Sequence, residues 1–205
     1  MVKNSLSLKA APIQFGTDGW RGVLGVDFTL ERLLLVAAAA CNELAYRAPS
    51  GLNSRKVVIG YDRRFLAEEF AEAISAVVRG CDLEPLLTQT SVPTPACSWA
   101  VVQHHALGAL ILTASHNPPE WLGLKIKGPL GGSVKEDFTK AVEKRLLMGG
   151  GASPVEGLIS RFDARKEHLK GLREKSDIPS LVKGLRNMGL KVIVDPMHGS
   201  AAGCM

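Results

Sequence analysis

The sequence predicts an α/β fold, a mixed but mainly parallel sheet sandwiched by helices (α/β/α), followed by the beginning of a second α/β domain. Apolar runs with strand character alternate along the chain with stretches of helical periodicity. The connections between the predicted strands are long enough to hold helices, which implies parallel βαβ crossovers with helices on both faces of the sheet. Hydrophobic residues make up 46% of the 205 residues and charged residues 22%, a balance typical of a protein with a buried core.

Hydrophobic spacing and turn residues give the order of the elements in the first half. Helices are predicted where apolar residues recur at three- and four-residue intervals, and strands where β-branched and apolar residues stand together. Pro49 and Gly51 stop the first helix, and Gly80 ends the second. The predicted elements are a helix from Leu30, a strand at 56–61 (KVVIGY), a helix from Leu66, a weaker strand at 83–88, a short helix with Thr94 as N-cap and Pro95 at its first position, and a strand at 106–113.

The second half predicts a domain boundary. Ser133 and Glu136 stand three residues apart and predict a capping box that opens a helix to about Met148. The glycine-rich run at 149–154 (GGGASP) cannot hold a helix and is predicted to be a linker between domains at 1–148 and 155–205. Two further helices are expected before KVIVD (191–195), the first strand of a new α/β unit. No helix follows that strand, so we expect the second domain to be incomplete.

Composition and charge exclude several classes of protein. The longest apolar run, Leu33 to Cys41, is much shorter than the roughly 20 residues that a membrane span needs. A soluble, unsecreted, cytoplasmic protein is expected. The net charge is +5, but Lys and Arg are interspersed with Asp and Glu, so no nucleic-acid partner is expected. The four cysteines show no C-x-x-C spacing, which excludes a zinc knuckle or redox pair of that type.

The loop TASHNPP (113–119) follows the most apolar strand, and ligands of α/β sheets bind at the carboxyl ends of strands. One interpretation of its polar side chains is an ordinary turn closed by local hydrogen bonds. A serine hydrolase is not expected, because the adjacent side chains of Ser115 and His116 should point in different directions and no G-x-S-x-G elbow is present. Phosphoryl transfer needs an exposed hydroxyl and nearby cations. Ser115 supplies the hydroxyl, and a Pro118–Pro119 turn could return Lys125 toward it, although a solvated lysine is the alternative.

A second stretch, FGTDGWRG (15–22), has three glycines at three-residue spacing. Glycines permit close approach of the backbone to an anion, and Arg21 offers a planar charged group that suits phosphate. The pattern is neither a Walker loop nor a Rossmann fingerprint. By itself it predicts only a glycine-rich turn.

Together, FGTDGWRG, TASHNPPEWLGLKIK and VDPMHGSAAG closely resemble, in this order, the motifs of the α-D-phosphohexomutases, the phosphoglucomutase and phosphomannomutase group. The resemblance implies the first domain of that family and the opening of its second. It implies interconversion of hexose 1-phosphate and hexose 6-phosphate through a phosphoserine and a bisphosphorylated sugar. The resemblance implies that Ser115 is the phosphoserine and, through a phosphate oxygen, a ligand of Mg²⁺. It implies that Lys125 is the general acid/base, that Arg21 contacts the transferring phosphate and that His116 is the catalytic neighbour of the serine. Arg21, Thr17 and Asn117 are the implied substrate contacts.

The sequence also departs from the family pattern. Leu122 stands where many relatives have Asn before Gly123, and the metal-binding loop D-G-D-G-D does not occur in the chain. We therefore expect the 205 residues to be inactive as a mutase on their own. An incomplete reading of the gene, a shortened form, and a split enzyme whose missing domains are a separate chain all fit. Glucose and mannose phosphates are not distinguished, and a non-catalytic α/β module that binds phosphorylated ligands or a partner protein is the alternative.

Overall fold

A single mixed sheet of six strands organises the chain. The computed structural model describes residues 10–149 and 151–204, so residues 1–9, Gly150 and Met205, which belong to the predicted domains and linker, lie outside the described residues. The strands are β1 (Trp20–Val23), β2 (Lys56–Tyr61), β3 (Glu84–Thr88), β4 (Gly108–Leu112), β5 (Trp121–Lys127) and β6 (Ser160–Phe162). The helices are α1 (Leu30–Tyr46), α2 (Ala67–Gly80), α3 (Thr94–Gln103), α4 (Glu136–Leu147), α5 (Ala164–Lys175) and α6 (Ile178–Asn187).

The spatial order of the strands is β1-β5-β4-β2-β3-β6. Neighbours from β4 through β2 and β3 to β6 run parallel, whereas β5 is antiparallel to both β4 and β1. The prediction of a mixed, mainly parallel sheet is confirmed. Because β4 and β5 are antiparallel neighbours, the loop between them emerges beside the carboxyl ends of β2 and β4.

Helices cover both faces of the sheet, as predicted. One core joins α1, α2 and α4 to apolar side chains of the strands, with Leu33, Ile74 and Leu110 fully buried within it. The other core joins α3 and α5 to the opposite face around Val58 and Ile111. None of the described helices is long and apolar enough to cross a membrane.

Glu43 is a carboxylate of α1 that is only 2% exposed. Its oxygens accept hydrogen bonds from Arg47 Nε at 2.6 Å and from Arg145 Nε, on α4, at 2.8 Å. Burial raises the pKa of Glu43, but the hydrogen bonds and charges of Arg145 and Arg47 outweigh it and lower the pKa below its ordinary value. The ion pairs thus fasten α4 to α1 on one face of the sheet.

Both predicted N-caps are wrong. Pro93 has the extended backbone of the capping position and makes no side-chain cap bond, and Thr94 is already helical. Lys135 occupies the capping position of α4. Ser133 Oγ instead accepts a hydrogen bond from Lys127 Nζ at 2.8 Å and donates one to a carboxylate, and charged partners of this kind hold a hydroxyl more strongly than a backbone N–H does.

The chain that follows the predicted linker runs along α2. The N–H of Val155 donates to Ala76 O at 3.0 Å, and Arg79 Nε donates to Val155 O at 2.8 Å. The chain then adds β6 to the edge of the sheet and packs α5 on α3, where Gly171 lies directly beneath the Trp99 ring. Residues up to Lys175 therefore pack on the first sheet, and the domain division at 149–154 stays a prediction.

The segment 191–195 is not a strand in the structure. Its apolar side chains are exposed, with Ile193 at 91%. A strand needs a neighbour to take up its backbone N–H and C=O groups, and the described residues place none beside this segment. The prediction of a strand here is wrong for the described structure, although the composition of the segment suits one.

The connection between β4 and β5 holds Ser115 in the left-handed region, with φ of 57°. That conformation costs a residue with a Cβ on the order of 1–2 kcal/mol. The N–H of Ser115 donates to Thr113 Oγ1 at 3.0 Å, and the N–H of Asn117 donates to Ala114 O at 3.1 Å. The loop is therefore a sharp turn that directs the serine outward.

Glu43→Gln is expected to lower the free energy of unfolding at pH 7 by about 2 kcal/mol, because two charged hydrogen bonds to a buried group lose their charge. The folded pKa of Glu43 is depressed, so this stability is fully present above the ordinary pKa of 4.5 and is lost as pH falls through the folded pKa. Urea denaturation of both proteins between pH 7 and pH 3 measures it. Glu156→Gln, at an exposed position, is the control, and a difference between wild type and Glu43→Gln that grows at low pH would contradict the account.

Ser115→Gly is expected to be more stable than Ser115→Ala by about 0.5–1 kcal/mol. Both variants lose the hydroxyl, but only glycine adopts the left-handed backbone without strain, and this gain exceeds its larger loss of chain entropy. Urea denaturation of the pair isolates the backbone effect. Equal stability, or a more stable alanine variant, would show that Ser115 is not held at positive φ.

Candidate active site

An open cleft of ≈ 740 Å³ lies at the carboxyl ends of β2 and β4. The serine loop emerges at this edge of the sheet, as predicted, and ligands of α/β sheets bind at such an edge. Its walls come from the loop after β4, the residues that follow β2, the start of α3, and a turn near the end of the chain. The lining residues include Ser115, His116, Asn117, Lys125, Asp62, Arg63, Arg64, Thr94, His198 and Ser200.

Ser115 is exposed on the wall of this cleft. Its Oγ lies 3.4 Å from His116 Nδ1. The expectation that the two adjacent side chains diverge is therefore wrong, because the left-handed backbone at Ser115 rotates its side chain toward the next residue. At 3.4 Å the contact is long for a hydrogen bond to a hydroxyl, and the described hydrogen bonds give His116 no carboxylate partner to orient it as a base.

Arg21, on β1, reaches the serine loop from the side. Its Nη1 donates to Asn117 Oδ1 at 2.9 Å. Gly123, its partner across the β1–β5 pair, makes room for it, because a Cβ there would meet Arg21 Cγ at 2.8 Å. The sequence pattern does not predict the edge strand that positions Arg21, because Trp20–Val23 has only four residues and one of them is glycine.

Lys125 lies on β5 and is 7% exposed, and its ammonium contacts the carboxylate of Asp18. Asp18 also lies 3.6 Å from Lys127 Nζ and accepts from Ser133 Oγ. Burial raises the pKa of Asp18, but the hydrogen bond and charge of Lys125, with Lys127 and Ser133, outweigh it and lower the pKa. Lys125 is thus not an ordinary solvated lysine.

Asp18 is a site residue that sequence reasoning missed. It sits in the glycine-rich turn next to Gly19, whose φ is 113° and where a Cβ would meet Leu124 O at 2.4 Å. Glycine is required here so that the turn can approach β5. A carboxylate between two glycines is the local sign that this turn has a function, but the lysine that pairs with it is 107 positions away in sequence.

Arg63 and Arg64 were also missed. They follow β2 directly and line the cleft beside the serine loop. Their position after a buried strand was the available signal, since carboxyl ends of neighbouring parallel strands meet at one edge. Thr17, in contrast, lies outside the cleft, in a separate groove with Phe15 and Val134. Its role as a substrate contact stays a prediction.

The charge of the cleft favours an anion. Its walls carry the cations Arg63, Arg64 and Lys125. The carboxylate among the lining residues, Asp62, lies 3.4 Å from Arg64 Nε, and the charges of this pair cancel, so the positive charge of the lining comes from Arg63 and Lys125. An exposed hydroxyl surrounded by such groups can accept a phosphoryl group and stabilise its charge.

The side chains that line the cleft do not fit a Mg²⁺ site. Among residues 10–149 and 151–204, no three His, Cys, Asp or Glu side chains come together as a metal site would need. Mg²⁺ is bound in proteins through carboxylates, and the carboxylate of the cleft is paired with an arginine. Ser115 as a metal ligand therefore stays a prediction.

Comparison with known proteins identifies the family of this chain. The family of phosphoglucomutase/phosphomannomutase, alpha/beta/alpha domain I, matches residues 12–149. A phosphoglucosamine mutase of Mycolicibacterium paratuberculosis is 35% identical over 192 residues, which are 92% of this chain and 41% of that protein. Another, of Trichormus variabilis, is 32% identical and matches 97% of this chain and 39% of its own length.

Solved structures give the same result. A putative phosphomannomutase from Thermus thermophilus has a TM-score of 0.75 and 35% identity, over 89% of this chain and 45% of that chain. A phosphoglucomutase from Paramecium, pp63/parafusin, shares the fold with a TM-score of 0.72 at 19% identity, over 92% of this chain and 40% of its own. The chain spans about two fifths of the length of the curated relatives named above. It belongs to the phosphoglucomutase/phosphomannomutase family, and the match is to the α/β/α domain I of that family.

Proposed function

We propose that Ser115 accepts and returns a phosphoryl group, and that the protein takes part in interconverting hexose 1-phosphate and hexose 6-phosphate through a bisphosphorylated sugar. The observation that carries the proposal is the exposed Ser115 hydroxyl, held at positive φ in a cleft lined by arginine and lysine. A turn of purely structural importance would not need a strained serine in a cleft lined by cationic side chains.

The proposed step moves the phosphoryl group from phosphoserine to a sugar hydroxyl. The P–O bond to Ser115 breaks while a P–O bond to the sugar oxygen forms, and the sugar hydroxyl releases its proton. Lys125 is the proposed carrier of that proton: it would accept the proton as the neutral amine and hold it as the ammonium that contacts Asp18, on the wall of the same cleft. Phosphoserine carries nearly two negative charges, which Arg21 and Lys125 would offset.

The remaining parts of the proposal rest on the family and not on this cleft. The carboxylates of a Mg²⁺ site are not among the lining residues, so no step is routed through the metal. His116 borders the acceptor and is proposed to shape its surroundings rather than to act as a hydrolase base. A cytoplasmic location, the lack of a nucleic-acid partner and a separate chain carrying further domains stay predictions.

The relatives differ in the sugar that their names give. Two are phosphoglucosamine mutases and one solved structure is a putative phosphomannomutase. Their shared chemistry is a hexose carrying phosphate at a position that changes. We therefore propose a hexose phosphate as the substrate class and leave glucose, mannose and glucosamine phosphates as the candidates.

The purified chain is expected to carry phosphate on Ser115, or to gain it on incubation with glucose 1,6-bisphosphate, because the hydroxyl and its cations are already assembled. Intact mass and phosphopeptide mapping measure this. Mg²⁺ is tested as an addition to the same incubation.

Ser115→Ala is the control, and it should gain no phosphate under the same conditions. Ser50→Ala, in which an exposed serine after α1 is lost, should gain it at Ser115. An unmodified Ser115 in every incubation would refute phosphoacceptor activity of this chain. Saturable binding of the bisphosphate without modification would then favour the alternative, a module that binds phosphorylated ligands.

A further inference from the structure

Arg64 lies three residues after β2, and its guanidinium points into the loop that carries Ser115. Nη2 donates to the carbonyl oxygens of Ser115 at 3.1 Å and Asn117 at 2.7 Å. Nη1 donates to those of Pro118 at 2.8 Å and Trp121 at 3.0 Å. One side chain thus engages three carbonyls of the loop and that of the first residue of β5.

Asp62 holds the guanidinium from the other side. Its Oδ2 lies 3.4 Å from Arg64 Nε, and its Oδ1 accepts the N–H of Arg64 at 2.9 Å. The N–H of Asp62 in turn donates to Leu112 O, at the end of β4, at 3.0 Å. Both side chains are largely buried, with 14% and 15% exposure. Arg64 is therefore fixed to the sheet at one end and to the loop at the other.

The loop needs such an external support. Its internal hydrogen bonds run from the N–H of Ser115 to Thr113 Oγ1, from that of Asn117 to Ala114 O and from that of Trp121 to Pro118 O. A non-glycine residue at positive φ persists only where its surroundings over-determine the conformation. The carbonyl contacts of Arg64 provide that constraint on the segment from Ser115 to Trp121.

We propose that Arg64 is a positioning residue for the phosphoacceptor: its guanidinium fixes the loop so that Ser115 Oγ faces the cleft. The proposal rests on the proposed function of Ser115. Arg64 acts through the loop, because both of its terminal nitrogens are occupied by loop carbonyls and Nε faces Asp62. Its loss should slow phosphoryl transfer without weakening the binding of the phosphate donor.

Arg64→Lys and Arg64→Gln are the test variants. A lysine keeps the charge and the aliphatic stem but lacks the planar fork that reaches several carbonyls at once. Arg55→Lys is the matched control, since Arg55 precedes the same strand at its opposite end and its side chain is 66% exposed. All variants are made in the full 205-residue chain.

The first measurement is the rate of phosphate incorporation at Ser115 over a range of glucose 1,6-bisphosphate concentrations. Both Arg64 variants should lower the maximal rate about 10- to 100-fold, as expected when a reacting group is misplaced by about 1 Å. The half-saturating concentration should stay within about twofold of wild type. In a third variant, Arg64→Ala, added N-methylguanidinium should restore part of the rate, and Arg55→Lys should behave as wild type.

The second measurement is amide hydrogen exchange, which does not depend on phosphoryl transfer. Exchange across residues 113–121 should accelerate in the Arg64 variants, while β4 stays protected. Unchanged exchange in this loop, or a wild-type maximal rate in both variants, overturns the proposal. If the wild-type chain takes up no phosphate, the proposed function fails, and the exchange difference alone decides whether Arg64 fixes the loop.

Discussion

Strand β5 carries two buried lysines, and the carboxylate that pairs with both comes from the glycine-rich turn, 107 positions before Lys125 in the sequence. Asp18 contacts Lys125 and lies 3.6 Å from Lys127 Nζ. Buried charges persist in proteins only when they are paired, so this turn has to pack against β5. The requirement places β1 at the sheet edge, and with it the arginine that reaches the serine loop.

The serine loop is consequently held from two sides by groups that do not belong to it. Arg21 approaches from β1 and contacts Asn117, while Arg64 approaches from β2 and contacts the loop carbonyls. The exposed Ser115 hydroxyl is the group left free between them. A preorganised hydroxyl with fixed cations around it is what electrostatic stabilisation of a transferring phosphoryl group requires, since little has to reorganise during the reaction.

The sequence predicts the elements whose signal is local and misses those that depend on distant partners. The strand at 56–61 and the helix from Leu30 follow from hydrophobic spacing, and both are confirmed. The roles of Asp18 and Arg64 in the site are not predicted, because nothing near them in sequence shows which side chain or carbonyl they contact. Ser133 shows the opposite error, a local capping pattern overridden by charged partners from β5 and the glycine-rich turn.

A phosphoserine at position 115 is expected to be stabilised by the charges of this cleft, and the pKa of its phosphate tests this most directly. Phosphoserine incorporated at position 115 during translation makes the test independent of any transfer activity. Its second pKa, followed by ³¹P NMR as a function of pH, is about 6 for an exposed phosphoserine. In this protein the value is expected to be clearly lower, since Arg21 and Lys125 favour the dianion. A value at or above the ordinary one would contradict it.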